Sequence, residues 1–235
     1  PTLQIMIHGK DIAKSDVAIT HPGIRLNEIK TTDNPNYIFL YINIDKDAKT
    51  ELFDIELKNG KKKQNLKYEL KARKPNSANR EGFSEKDNLY MLMPDRFANG
   101  NPLNDEIKGY HQGIDRSNLS KRQGGDIAGI SQKIPYLADL GITALWTTPM
   151  FADNDTAYSY HHYAAGDYYR IDPRFGTNDE YLQLCETANA NGIKMVIDMV
   201  PNHCGGSHWW VKDLPAKDWF HKWDNFTRTN YRTTA

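Results

Sequence analysis

Apolar and polar positions alternate with a period of two through the first 72 residues, and then the period changes. LQIMIHG (3–9), DVAIT (16–20) and YIFLYINID (37–45) are rich in β-branched and aromatic residues, the composition of half-buried strands. His21-Pro22-Gly23 and Asp33-Asn34-Pro35-Asn36 punctuate them as turns. FDIELKNGKKKQNLKYEL (53–70) has the form of a hairpin. Its Asn59-Gly60 pair suits a type I′ turn, which needs two positive φ angles, and the lysines that follow can lengthen the loop. Short strands at this spacing predict a β-sandwich over residues 1–72, short of its opening strands because the first strand begins almost at Pro1. Residues 73–87 carry almost no periodic apolar signal and read as a linker.

From residue 88 to 235 strands and helices alternate. NLYMLMP (88–94) is a buried-strand pattern. Ile127, Ile130, Ile134, Leu137 and Leu140 then recur at helical spacing up to Gly141. TALWTTP (143–149) is the next strand. Thr177 and Glu180 form a capping-box pair at the head of a second helix, which buries Tyr181, Leu184, Cys185 and Ala188 and stops at Asn191-Gly192. IKMVIDMVP (193–201) is a third strand, apolar enough to be covered on both faces. Repeated strand–helix units predict an α/β fold with a parallel sheet, either doubly wound or a barrel.

Composition excludes some partners. Thirty basic and thirty acidic residues cancel and are interspersed, so no net field attracts nucleic acid or an anionic membrane. No apolar run approaches the roughly 20 residues of a membrane span. Cys185 and Cys204 are too few for a disulfide scaffold. The chain has thirteen Tyr and five Trp, and many of them crowd into 158–169 and 209–231, where flat rings suit either a core or a sugar face.

Three clusters carry candidate chemistry. Asp198-Met-Val-Pro-Asn202-His203 closes the third strand, and ligands of parallel sheets bind at the carboxyl ends of strands. On its own the cluster reads rather as a capped turn, since polar turns at strand ends are common. The second is Tyr160-His161-His162-Tyr163, followed by Asp167-Tyr168-Tyr169, Asp172, Arg174 and Gly176, in a long loop of the kind that is usually functional. The third, Asn99-Gly-Asn101-Pro-Leu-Asn104-Asp105 with Gly124-Gly125-Asp126, offers the hard oxygens that Ca²⁺ takes, or is a hydrated loop. His203, Cys204 and His208, with His161 or His162, allow a zinc-enzyme reading, although their spacing matches no common zinc pattern. A third reading makes residues 1–72 a carbohydrate-binding or oligomerisation module.

The second cluster resembles the YHGY…DYY.IDP.FGT segment of the α-amylase family, and DMVPNH resembles that family's first conserved region. LYMLMPDRFANG (89–100) and LGITALWTTP (140–149) are similar to its first two barrel strands, and the preceding sandwich resembles the extra domain of the neopullulanase and cyclomaltodextrinase branch. The resemblance implies an N-terminal β-sandwich followed by the first three β/α units of a (β/α)8 TIM barrel, incomplete in this chain. It implies a retaining glycoside hydrolase acting on starch-derived oligosaccharides, cyclodextrins or pullulan, in the periplasm or alternatively the cytoplasm. Within it, Tyr163 would stack under the sugar ring while His161 and His203 donate to it, His203 in the catalytic role. Asp198 and Asn202 would shape the loop. Asn99, Asn101, Asn104, Asp105, Gly124 and Asp126 would hold a structural Ca²⁺. His162 departs from the family, where Gly is usual, and Ala164-Ala165 stands where a Trp often follows the Tyr. The catalytic Asp and Glu of such enzymes follow later strands, so residues 1–235 alone are expected to be inactive and to need the remainder of the barrel, with a homodimer possible.

Overall fold

A computed structural model describes residues 1–225. They form two compact units: Pro1–Ala78 together with Asp213 and the described residues after it, and Asn79–Lys212. Phe226 and Tyr231, within the expected aromatic stretch, lie outside the described residues.

The first unit is made of two three-stranded antiparallel sheets. β1 (Thr2–His8) and β3 (Ile24–Lys30) flank β4 (Tyr37–Ile44), while β2 (Asp16–Ile19) and β6 (Lys62–Glu69) flank β5 (Leu52–Asn59). β4 is buried along most of its length, and Ile38, Leu40 and Ile42 cluster with Phe53, Ile55 and Leu57, the inward positions of β5. Those β5 residues alternate with more exposed ones, the period-two pattern the sequence shows. β3 is the strand the pattern did not announce: IRLNEIK keeps only Ile24 buried, so its polar majority hides the period. The hairpin turn also differs from expectation. Asn59 pairs with Lys62, leaving Gly60-Lys61 as the loop, and Gly60 takes φ +59° while Lys61 is not at positive φ. A turn with glycine first and one positive φ needs no second left-handed residue, which the Lys61 side chain would resist.

Asp213 belongs to this unit through a dense set of bonds. Its carboxylate accepts from His8 Nε2 (2.7 Å), Asn34 Nδ2 (2.5 Å) and Asn36 Nδ2 (2.9 Å), while its backbone carbonyl accepts from the Tyr37 hydroxyl. Those donors hold the Asp213 carboxyl at a pKa of about 2.

The second unit is built on the parallel sheet β7 (Leu89–Leu92), β8 (Ala144–Thr147) and β11 (Lys194–Ile197), with β8 in the middle. A short helix α1 (Pro94–Phe97) follows β7, and α2 (Ile127–Asp139) and α3 (Asn178–Ala190) form the crossovers. In register, Tyr90, Leu145 and Met195 share one face and Met91, Trp146 and Val196 the other. Leu145 and Met195 belong to the core with Ile130, Ile134 and Leu137 of α2 and Leu184 of α3. The opposite face is less covered, and Met91 is 62% exposed. Ile197 is 52% exposed, so β11 is not covered on both faces as expected: it is an edge of this sheet.

Helix ends follow their local chemistry. The Asp126 side chain accepts from Gly129 N at the head of α2, and the Thr177–Glu180 capping box opens α3. Leu140, the last of the residues at helical spacing, is the C-cap of α2 and 54% exposed. A two-stranded ribbon, β9 (Phe151–Ala152) with β10 (Asp167–Ile171), brackets the 153–166 loop that the sequence showed only as a long loop. No helix among the described residues is long and apolar enough to cross a membrane.

Candidate active site

The carboxyl ends of β8 and β11 and the β9–β10 loop bring the sugar-site candidates together. Asp198 follows β11, and its Oδ2 accepts from the Tyr163 hydroxyl (3.0 Å) and from Trp146 Nε1 (3.2 Å). His203 Nε2 donates to the Tyr163 carbonyl (2.9 Å), and Asn202 Nδ2 donates to His203 Nδ1 (3.1 Å). These two bonds agree on one tautomer, with the proton on Nε2. His161 Nδ1 accepts from Tyr163 N (3.1 Å), and the two rings lie 5.6 Å apart. His161, Tyr163, Asp198, Asn202 and His203 therefore form one connected network.

Burial lowers the His161 pKa, since the charged ring is costly to desolvate. Burial first, then the bond to Asp198 and its charge, raise that of Tyr163. Tyr163 is still 37% exposed, which leaves ring surface for a ligand.

The two loops approach closely. Gly205 N donates to the Ala165 carbonyl (2.8 Å), and a Cβ on Gly205 would lie 2.2 Å from the Ala164 oxygen, so no side chain fits there. Asp155 accepts from Ser207 N (3.0 Å) on the wall of a cleft of about 620 Å³ that also touches His111 and Lys212.

Beneath the loop lies a buried ionic network. Asp172 accepts from Arg174 Nε (2.9 Å) and Nη2 (2.9 Å), and Arg174 Nη1 donates to the Gln112 carbonyl (2.9 Å). Gln112 Oε1 in turn accepts from Ser159 N and Oγ. Burial alone would raise the Asp172 pKa, but the Arg174 bonds and charge hold it at about 2. Asp153 has no such partner among the described residues: burial pushes its pKa up to about 7, and its Oδ2 accepts no hydrogen bond from them.

Sequence reasoning missed Trp146 as a site support and, although it placed Asp172 and Arg174 in the second cluster, it missed their pairing. Trp146 was findable, since strand register places it opposite Val196, two residues before Asp198 on the same face. The ionic network had no such signal.

The six calcium candidates divide. Asn99 Nδ2 donates to Asp105 Oδ1 (2.7 Å), and the side-chain oxygens of Asn99 and Asn104 are buried without a hydrogen-bond partner among the described residues. Gly124, at φ +89°, lies against this pair: a Cβ there would be 2.8 Å from Asp105 Oδ1. Burial raises the Asp105 pKa. Unpartnered hard oxygens beside a desolvated carboxylate fit a Ca²⁺ ion. Asp126 and Asn101 are otherwise engaged. Asp126 accepts from Gly100 N (3.0 Å), Asn101 N (2.8 Å) and Gly129 N (2.6 Å), and Asn101 Oδ1 accepts from Leu103 N (3.2 Å).

For the zinc reading, no group of three or more His, Cys, Asp or Glu that could hold a metal occurs among the described residues. His162 points into the core and His208 Nδ1 accepts from Trp210 N (3.1 Å).

Comparison with known proteins bears on these arrangements. Residues 91–234 match the model of the α-amylase catalytic domain, and residues 1–74 that of the cyclomaltodextrinase N-terminal domain. Neopullulanase 2 of Thermoactinomyces vulgaris is 38% identical over 63% of this chain and 26% of its own length. A cyclomaltodextrinase of Thermoanaerobacter pseudethanolicus is 37% identical over 56% of this chain and 23% of its own. The crystal structure of an Anoxybacillus α-amylase, 37% identical, aligns with a TM-score of 0.54 over 60% of this chain and 30% of that one. The chain thus spans about a quarter of the length of these relatives.

Proposed function

This chain belongs to the α-amylase family, and on that premise we propose that it supplies the sugar-holding half of a retaining hydrolase of α-glucosidic bonds. Its fold is the family's, a cyclomaltodextrinase-type N-terminal domain ahead of part of the catalytic barrel. The substrates proposed are starch-derived oligosaccharides, cyclodextrins or pullulan.

One observation carries the proposal: the Tyr163–Asp198–Trp146 cluster sits with His161 and His203 at the carboxyl ends of parallel strands, where barrel enzymes bind substrate. Tyr163 presents a ring face for an apolar sugar face, and His161 and His203 supply polar contacts around it. His203 is the group assigned to steady charge developing at the sugar, a role that requires its Nε2 proton to leave the Tyr163 carbonyl that holds it here. Retaining cleavage also needs two carboxyl groups about 5 Å apart, one as nucleophile and one as acid. Asp198 cannot serve as either without abandoning Tyr163 and Trp146, so we assign that pair to other strands of the full-length barrel. The exposed faces of Met91 and Ile197 support such a completed barrel.

Asn99, Asn104 and Asp105, beside Gly124, would hold the Ca²⁺, which would tie the 99–105 loop to the segment entering α2. Its role is structural, and no step of the cleavage passes through it.

The full-length protein should release reducing sugar from maltoheptaose and a cyclodextrin, with the product born in the α configuration as followed by proton NMR. Residues 1–235 alone should release none. A β product would overturn the retaining mechanism, and turnover by residues 1–235 would overturn the placement of the carboxyl pair.

A further inference from the structure

The described site leaves one buried group unexplained. Between His161 and Tyr163 stands His162, whose ring is fully buried while its neighbours face the site. Arg122 Nη1 lies 2.8 Å from His162 Nε2. A guanidinium has no acceptor, so Nε2 accepts, and the ring proton sits on Nδ1 and is donated to the Phe151 carbonyl (2.9 Å). The ring also packs on Phe175, with centroids 4.2 Å apart. Three contacts from three separate segments thus fix one side chain.

The backbone at this point is unusual. The 3-10 turn Ser159–His161 is flanked by Tyr158 at φ +58° and His162 at φ +58°, both left-handed. Non-glycine residues hold that conformation where their surroundings over-determine it. At His162 the surroundings are Arg122, the Phe151 carbonyl and Phe175. The left-handed turn reverses the chain, so that the residues on either side of a buried ring both reach the site. His161 Nδ1 then receives Tyr163 N across the turn.

We propose that His162 is a positioning residue for the sugar-contacting pair His161 and Tyr163, holding their turn in the binding geometry through Arg122 and the Phe151 carbonyl. The proposal rests on the α-glucan reading of that pair. Arg122 is also buried, 1% exposed, with Nη2 3.5 Å from Asp95 Oδ1 and, among the described residues, no hydrogen-bond partner for Nε or Nη2. Removing the ring strips the buried guanidinium of its hydrogen bond to His162 Nε2, and the turn of its tether.

The test uses the full-length protein with H162G and H162Q. Glycine keeps the left-handed backbone and removes the ring, whereas glutamine carries one acceptor and one donor at similar reach. H162G should raise KM for maltoheptaose at least tenfold with a smaller fall in kcat, and should speed hydrogen–deuterium exchange of a peptide covering residues 159–166 while exchange elsewhere stays the same. H162Q should restore both. Wild-type KM and exchange in H162G, or equal damage from H162Q, would overturn the proposal. If H162G does not fold, H162M, of similar volume but without the hydrogen bonds, takes its place against H162Q with the same outcomes. If the unmodified protein neither binds nor cleaves maltoheptaose, the α-glucan reading falls, and the exchange comparison alone still decides whether His162 holds the turn.

Discussion

The Tyr163 hydroxyl donates to Asp198 Oδ2 at 3.0 Å, so the ring proposed to stack on a sugar is held at its far end by a strand terminus. Position and contact are thereby divided within one side chain. Tyr163→Ala should lose both and weaken α-glucan binding and turnover by at least tenfold, since stacking of this kind contributes on the order of 1 kcal/mol and the tether about as much. Tyr163→Phe keeps the face and loses the tether, so it should fall between wild type and the alanine variant. Steady-state kinetics on maltoheptaose check the order, and equal loss in both variants would mean that the hydroxyl alone matters.

His203 holds its proton on the Tyr163 carbonyl while Asn202 donates to its other nitrogen. His203→Asn should lower kcat by roughly one to three orders of magnitude, the scale of one transition-state hydrogen bond. Because the residue is exposed, the melting temperature should shift little. Wild-type turnover in this variant would remove His203 from the mechanism.

Calcium should raise the melting temperature of the full-length protein, because an ion that binds only the folded state stabilises it by mass action. Asp105→Ala should abolish that increment. Asp126→Ala should behave differently: its carboxylate caps α2 and binds three backbone amides, so its loss should cost about 1–2 kcal/mol or more with calcium or chelator alike. Differential scanning calorimetry with and without chelator separates the two. Superimposable curves for the unmodified protein would remove the metal.

Asp153 gives a pH-dependent prediction. Burial raises its folded pKa to about 7, while an unfolded aspartate titrates near 3.9. Between those values the folded state keeps a proton the unfolded chain has released, so stability from this group falls as pH rises and the full penalty stands above pH 7. Asp153→Asn can keep the bond from Asp155 N and carries no charge. It should raise the melting temperature at pH 8 by several degrees and by less at pH 5, where only part of the penalty stands. The opposite ranking would mean that Asp153 is ionised and partnered in the folded protein.

Much of this was legible in the chain because the information is local. Thr177 and Glu180 cap a helix three residues apart, and Phe53, Ile55 and Leu57 alternate inward along one strand. The strand-end position of Asp198 follows from the pattern of IKMVIDMVP. The remainder is relational. Nothing near Arg122 in sequence announces that its partner is His162, 40 residues on. Nor does the Asn99–Asp126 stretch reveal that Asp126 and Asn101 spend their oxygens on backbone amides while Asn99 and Asn104 keep theirs. Composition counts oxygens, and only folding shows which are already engaged.

The Asp213 anchor has a consequence for the order in which the chain can fold. The bond between His8 and Asp213 joins residues 205 apart, so the first unit is discontinuous, its last piece supplied only after Asn79–Lys212 has been made. β1 to β6 can pair at once, because their partners are close in sequence. The anchor must wait, since closing so long a loop costs entropy that a condensed intervening segment reduces. A growing chain would thus carry Asn34, Asn36 and His8 as an open receptor for a segment still unmade, and the sandwich would be sealed last by its most distant residues.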